Sequence, residues 1–328
     1  MNSFGRLFKV QIFGESHSKG IGAIIDGCPS GIELDYDLIY NNLLLRKGDS
    51  FATTPRKEED KVVFFSGVKN GKTTGTPISF VIENKNIVES KINLKETPRP
   101  GHADFTQISK YGNNADISGG GHSSGRLTTA LVVAGTIAQS IIPKISFNCE
   151  IDEIGGEKDY DELLSNIAEK GDSLGGIVKC KINGVPAGLG EPFFDSIESN
   201  LSHILFSIPG VKGIEFGAGF NAAKMLGSEM NDELINIKGK TKTNNSGGIV
   251  GGITNGNEII FRVAFRPPSS IKLKQKTVNL ITEEINEIAI SGRNDICYVL
   301  RTPIIIECVA AISIVDFMLL EGLIPRKN

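Results

Sequence analysis

A chain of 328 residues with 35 basic and 38 acidic side chains carries a formal net charge of −3. That balance excludes a general attraction to nucleic acid or to an anionic membrane surface, so any anion must be held by a local arrangement of groups. The five cysteines (Cys28, Cys149, Cys180, Cys297, Cys308) are odd in number, widely spaced and never in a C-x-x-C pair, which argues against a disulfide framework and against a zinc or other metal site, and for a reducing cytosol.

In chain order, the first six residues lack the basic and then apolar sequence of an export signal. Alternation over residues 7–13 predicts a strand that ends at Gly14-Glu15-Ser16-His17, a polar tetrapeptide well placed for a site. Asp35 is placed to cap a helix reaching Arg46, and residues 61–66 and 78–82 read as strands. A long apolar helix is expected over 125–142, followed by a strand at 144–151. Helices over 160–170 and 195–206 alternate with strands at 176–182 and 259–265, and a helix over 303–321 closes the pattern. The apolar stretches 127–143 and 303–324 invite a membrane reading. The first is short and the second contains Glu307, Asp316 and Glu321, so both are expected as buried helices. No low-complexity linker interrupts the alternation, which predicts one mixed α/β or α+β body over residues 1–328.

Thirty-eight glycines cluster at Gly119-Gly120-Gly121, Gly188 and Gly190, Gly217 and Gly219, and Gly247-Gly248 with Gly251-Gly252. Each cluster alone reads as a turn, while several together point to backbone approaching a ligand. Gly67-Val68-Lys69-Asn70-Gly71-Lys72-Thr73 has three residues between its glycines where a phosphate loop needs four, and is rejected as one. Gly121-His122-Ser123-Ser124-Gly125 matches G-x-S-x-G, but a polar, glycine-rich segment precedes it where a nucleophile elbow needs a buried strand. Two of only four histidines, His17 and His102, are flanked by polar residues and can give or take a proton. Arg266-Pro267-Pro268-Ser269-Ser270, after a strand, offers a cation, two hydroxyls and free amides to a phosphate, or is a surface turn.

Taken in order, these segments resemble the chorismate synthase family from Ser3-Phe4-Gly5 to about Leu320. The resemblance rests on Phe13-Gly14-Glu15-Ser16-His17 with Asp26-Gly27-Cys28-Pro29-Ser30-Gly31, then Thr53-Thr54-Pro55-Arg56-Lys57-Glu58, Arg99-Pro100-Gly101-His102-Ala103-Asp104 and Gly119 through Arg126. It continues through Val185-Pro186-Ala187-Gly188-Leu189-Gly190-Glu191-Pro192, Ser246-Gly247-Gly248-Ile249-Val250-Gly251-Gly252-Ile253 and Gly292-Arg293-Asn294-Asp295-Ile296-Cys297. It implies a layered sandwich of antiparallel sheets enclosing central helices, a homotetramer and a cytoplasmic location. It also implies a lyase of aromatic amino acid biosynthesis, making chorismate from 5-enolpyruvylshikimate 3-phosphate by trans-1,4-elimination of phosphate with reduced FMN.

By the same resemblance, His17 serves the leaving phosphate oxygen, His102 the proton of the reduced flavin, and Asp295 removal of the ring hydrogen. FMN would meet His122, Ser123, Ser124, Pro209, Gly210, Gly251, Arg266, Pro267, Pro268, Ser269, Ser270 and Arg293, while Arg46 and Arg126 are the candidate ligands of the substrate's anions. Family arginines align with Leu45, Phe51, Ser118 and His122, and Arg46 and Lys47 stand nearby. Three readings therefore stand side by side: a chorismate synthase, a flavin-binding or interaction protein that has kept the fold and lost the reaction, and a serine hydrolase built on Ser123. Whether the flavin is reduced with NADPH by the chain itself or by a flavin reductase stays open, and no separate nicotinamide domain is visible.

Overall fold

Residues 128–141 and 303–320 are apolar around almost their whole circumference, and a helix with no polar face must be covered on every side. In the computed structural model, which describes residues 2–53, 58–85, 93–290 and 294–326, both segments are helices, Thr128–Ile141 and Pro303–Leu320, and nearly every residue of each is buried. The second is long and apolar enough to cross a membrane, yet 78% of it is buried inside this protein. Its fully buried Asp316 accepts hydrogen bonds from the backbone N–H groups of Arg6 (3.0 Å), Leu7 (2.7 Å) and Phe8 (2.8 Å). A carboxylate satisfied in this way can lie in a dry interior.

Two antiparallel sheets cover these helices. The first is built from β1 (Ser3–Phe4), β2 (Lys9–Gly14), β3 (Gly20–Asp26), β4 (Val62–Ser66) and β5 (Ile78–Glu83), in the order β1-β2-β3-β5-β4. The second is built from β6 (Ser146–Ile154), β7 (Gly176–Asn183), β8 (Val211–Phe216) and β9 (Ile259–Phe265), in the order β8-β9-β7-β6. Strand periodicity is clearest in β9, where Ile259, Phe261, Val263 and Phe265 are buried and the residues between them are not. Opposite them on β7 stand Ile182, Cys180 and Val178, so one apolar face turns inward.

The helices are α1 (Tyr36–Lys47), α2 (Asp104–Tyr111), α3 (Thr128–Ile141), α4 (Asp161–Lys170), α5 (Ile197–Leu205) and α6 (Pro303–Leu320), besides one single turn at Gly227–Met230. α3 packs on β2 and β3, α6 packs on β6 and β7, and α3 and α6 pack on each other, with α1 against both and α5 against α6. The result is the sandwich of antiparallel sheets enclosing central helices that the family resemblance implied. α3 and α6 come so close at Gly135 that a Cβ there would collide with Cys308. Any larger residue would push the two layers apart.

Helix starts follow the expected chemistry. The Asp35 carboxylate accepts the N–H of Leu38 at 2.8 Å and opens α1, and Ser196 caps α5 through Ser199 N–H at 3.0 Å. Most predicted elements lie within two or three residues of those observed. The expected helix from residue 125 begins instead as a short 3-10 turn, Gly125–Leu127, before α3. β3 escaped the sequence reading because its glycines resemble turn residues. Gly22 in fact lies under the Phe13 ring and beside the Phe80 carbonyl, where a Cβ has no room. β8, α2 and the hairpin of Gln275–Val278 with Ile285–Ile288 also went unread. The rejected phosphate-loop look-alike is a two-residue hairpin turn, with Asn70 and Gly71 both at positive φ.

Candidate active site

Eight separate segments line one cavity of about 440 Å³, and six of them carry the residues singled out from sequence as catalytic or charged. His17 comes from the loop between β2 and β3, Arg46 from the last turn of α1, His102 from the turn before α2, Arg126 from the turn before α3, Arg266 from the end of β9, and Asp295 from the approach to α6. The residues the sequence reading placed in catalytic roles, His17, His102 and Asp295, thus share one wall-to-wall space.

The His17 ring lies against Gly119, where any Cβ would occupy the position of its imidazole. Gly119, Gly120 and Gly121 all take positive φ, at 57°, 90° and 53°, a run that residues with a Cβ rarely adopt. The Gly121 carbonyl accepts Ser16 N–H at 3.1 Å, and Ser16 Oγ lies 3.2 Å from His17 Nδ1. This glycine run therefore fixes the histidine. The other glycine clusters do different work: Gly217 packs on Asn245 and Gly247, and Gly190 packs on Gly252.

His102 sits in a tighter frame. Its Nδ1 lies 3.0 Å from the Pro100 carbonyl and its Nε2 lies 2.8 Å from Ser270 Oγ. The turn is held by Arg99, whose Nε and Nη2 donate to the two oxygens of the fully buried Asp104 at 2.8 Å each. On the other side Ser269 donates to the Gly101 carbonyl at 2.8 Å, and Arg266 donates to Ser269 Oγ. Tyr298 donates to the Arg266 carbonyl at 2.6 Å. Burial, with the charge of Arg99 next, lowers the His102 pKa from its ordinary 6.5. Burial drives the Tyr298 hydroxyl up to about 12.

Cations dominate the lining, and three of the six, Arg99, Arg126 and Arg301, are paired with carboxylates. Arg126 donates to Glu58 at 2.9 Å, to Asp60, and to Asn84 Oδ1 at 3.0 Å. Arg301 donates to Asp295 at 2.7 Å and so fixes the direction of that carboxylate. Arg46 differs: its guanidinium donates to Thr128 Oγ1 at 3.1 Å and to the Gly125 carbonyl at 2.7 Å, with no ion pair among the described residues. Burial first, then the charges of Arg301 and Arg126, push its pKa down. Arg266 likewise makes no ion pair among the described residues, and Lys47 donates to the Glu58 carbonyl at 2.8 Å.

Of the other residues inferred from sequence, Ser123, Ser124, Pro209, Gly210, Pro268, Ser269 and Ser270 line the cavity. His122, Gly251 and Pro267 do not. The His122 ring turns to the first sheet, 2.7 Å from the Gly14 carbonyl and 3.1 Å from Asn2 Oδ1, and so adds no charge to the site. Gly251 lies in the small hairpin of Ile249–Val250 with Ile253–Thr254, and Pro267 is exposed. Arg293 lies outside the described residues, as do Thr54 to Lys57. Leu45 and Phe51 are 61% and 63% exposed and do not line the cavity.

Sequence reasoning missed Glu58, Asp60, Arg99, Asn294, Tyr298 and Arg301 as lining residues. Glu58, Arg99 and Asn294 stand within the quoted motifs, whereas Tyr298 and Arg301 carry no local signal. The hydrolase reading finds no support in the geometry. Ser123 hydrogen-bonds no histidine among the described residues, and the His203 ring packs edge-on against Phe4 at 5.5 Å.

Comparison with known proteins agrees with this geometry. The family model described as chorismate synthase matches residues 8–319. A chorismate synthase of Chitinophaga pinensis is 51% identical over 323 residues, covering 98% of this chain and 97% of that protein. One from Methanobrevibacter smithii is 42% identical and covers 100% of this chain and 99% of that protein. A solved structure titled as the crystal structure of chorismate synthase superposes with a TM-score of 0.73 at 27% identity, over 97% of this chain and 93% of that one.

Proposed function

The chain belongs to the chorismate synthase family, and from that premise we propose that the cavity carries out trans-1,4-elimination of phosphate from 5-enolpyruvylshikimate 3-phosphate with reduced FMN. The observation that supports this reading most is the convergence of His17, His102 and Asp295 with two cations, Arg46 and Arg266, that have no carboxylate partner among the described residues. Nothing in the structure or the comparisons favours a descendant that has lost the reaction.

The lining suits the flavin on chemical grounds. Roughly 300–1,000 Å³ is the usual span of such pockets, and hydroxyls at Ser123, Ser124, Ser269 and Ser270 beside the cation of Arg266 match a polyol and a phosphate. Ser123, Ser124, Pro209, Gly210, Arg266, Pro268, Ser269 and Ser270 would hold it. When bound, reduced FMN would supply electron density as the carbon–oxygen bond breaks and recover it, with no net redox change.

His17, seated on Gly119 and steadied by Ser16, is the group that meets the leaving phosphate oxygen with a proton. Arg46 and Lys47 hold the substrate's anionic groups, Arg46 through a guanidinium that burial leaves short of counter-charge. Asp295, aimed by Arg301, assists removal of the ring hydrogen. Exposed Phe193, Phe194 and Phe220, at 86%, 94% and 82%, are apolar surface of the kind that copies of a chain cover in an assembly, and a homotetramer is the assembly proposed. The continuous core spanning both sheets and the central helices supports one domain over residues 1–328, and the setting proposed is the cytoplasm. With no nicotinamide domain in view from the sequence, a separate flavin reductase is the proposed source of reduced flavin.

Anaerobic formation of chorismate from 5-enolpyruvylshikimate 3-phosphate with dithionite-reduced FMN tests the reading. Turnover in the native chain that collapses in His17→Ala and in Asp295→Ala supports it. A folded native chain that binds FMN without turning over the substrate overturns it.

A further inference from the structure

The contacts of His102 are asymmetric in a way that decides where its proton can go. The Pro100 carbonyl, 3.0 Å from Nδ1, can only accept a hydrogen bond, so Nδ1 carries the hydrogen and donates it. The neutral ring then has its lone pair on Nε2, and the atom 2.8 Å from that lone pair is Ser270 Oγ. Ser270 lines the cavity. The ring's second nitrogen is thus occupied by a hydroxyl that can both donate and accept.

We propose that Ser270 is the group that exchanges a proton with the bound ligand, and that His102 acts through it. The inference rests on the reading above that this cavity is the reaction site. In the accepting direction, a ligand proton passes to Ser270 Oγ as the hydroxyl's own hydrogen passes to His102 Nε2. The products are a deprotonated ligand, an intact hydroxyl and an imidazolium. The donating direction is the reverse, and no electrons move. The charged groups facing the ring are Arg99 and Asp104 from its own segment and Arg266 from the end of β9. Arg99 is already paired with Asp104, so the serine hydroxyl is the only one of these contacts able to carry a proton in both directions. Frame and relay are linked, because Ser269, next in chain to Ser270, ties Arg266 to the Gly101 carbonyl.

Nitrogen-15 histidine NMR of the ligand-free chain tests the frame, with His102→Gln identifying the signal. The native ring is expected as the Nδ1–H tautomer with a hydrogen-bonded Nε2. Ser270→Ala is expected to lose that hydrogen bond and to titrate at higher pH, whereas Ser270→Thr keeps both properties. In turnover, Ser270→Ala and His102→Gln should each lower kcat by about 10²-fold. The double variant should fall no further than the slower single one, and KM should stay within about threefold. Two outcomes overturn the relay: a double variant whose loss is the product of the single losses, or native kcat in Ser270→Ala beside a slow His102→Gln. If the native chain makes no chorismate, the functional reading fails by itself. The NMR result still decides, since an Nε2–H tautomer in the native chain removes the basis of the relay.

Discussion

Arg126 and Arg46 are both buried, both line the same cavity, and are set in opposite ways. Arg126 has two carboxylates, an amide oxygen and a backbone carbonyl around its guanidinium. Arg46 has a hydroxyl and a carbonyl and no counter-ion among the described residues. The difference teaches that the presence of an arginine in an anion site says little until its partners are known. An arginine already matched by carboxylates organises the wall, while one held only by neutral dipoles keeps its charge available for a ligand.

The sharpest way to break this comparison is to delete each charge. Arg126→Met strands Glu58 and Asp60 in a dry site and should lower unfolding stability by about 3–5 kcal/mol in urea denaturation. Arg46→Met should leave stability within about 1 kcal/mol, because Thr128 already donates to the same Gly125 carbonyl, yet weaken substrate affinity by about 1.5–3 kcal/mol. Equal stability losses in the two variants would refute the division. Asp60→Asn keeps a residue that tolerates the positive φ of 51° at that position and removes one of Arg126's two counter-charges. A loss of about 1–2 kcal/mol is expected, together with a lower KM measured in steady-state turnover.

The smallest effect concerns His102, whose folded pKa lies below 6.5. The unfolded chain therefore binds the extra proton first, so the stability this group contributes is complete above pH 6.5 and is lost as pH falls through the folded pKa. His102→Gln should flatten that part of the stability profile by less than about 1 kcal/mol. A steeper acid limb in the variant would contradict it.

The difference between the two arginines was not visible in the sequence. Arg46 and Arg126 stand close to recognisable motifs, but their partners arrive from across the chain, Asp60 from 66 residues away and Thr128 from 82. Arg301 is the opposite case, since the Asp295 it aims stands only six residues away. The parts that could be read were those written by local physics. Long apolar runs marked α3 and α6, alternation marked β9, Asp35 marked the start of α1, and the polar strand end marked His17. The glycines misled in both directions. Gly22 hid a strand, because close packing and tight turning call for the same residue. Gly217, from a cluster that suggested ligand contact, packs instead on Asn245 and Gly247. His122 stands in the motif whose resemblance implied a contact with FMN, but its ring is held by Gly14 and Asn2 on the far side of that turn.

The clasp of Asp316 on residues 6–8 carries a consequence for how the protein is made. The donors and their acceptor are separated by 308 to 310 positions in the chain. A ribosome working at about 5–20 residues per second exposes residues 6–8 on the order of 15–60 s before the carboxylate that will fasten them exists. Until then the earliest strands wait beside an unfinished core, with the faces of α3 and of the second sheet that α6 will cover open to solvent. The first part of the protein to be synthesised is thus among the last to be secured, and the nascent chain is most vulnerable to aggregation just before its final helix emerges.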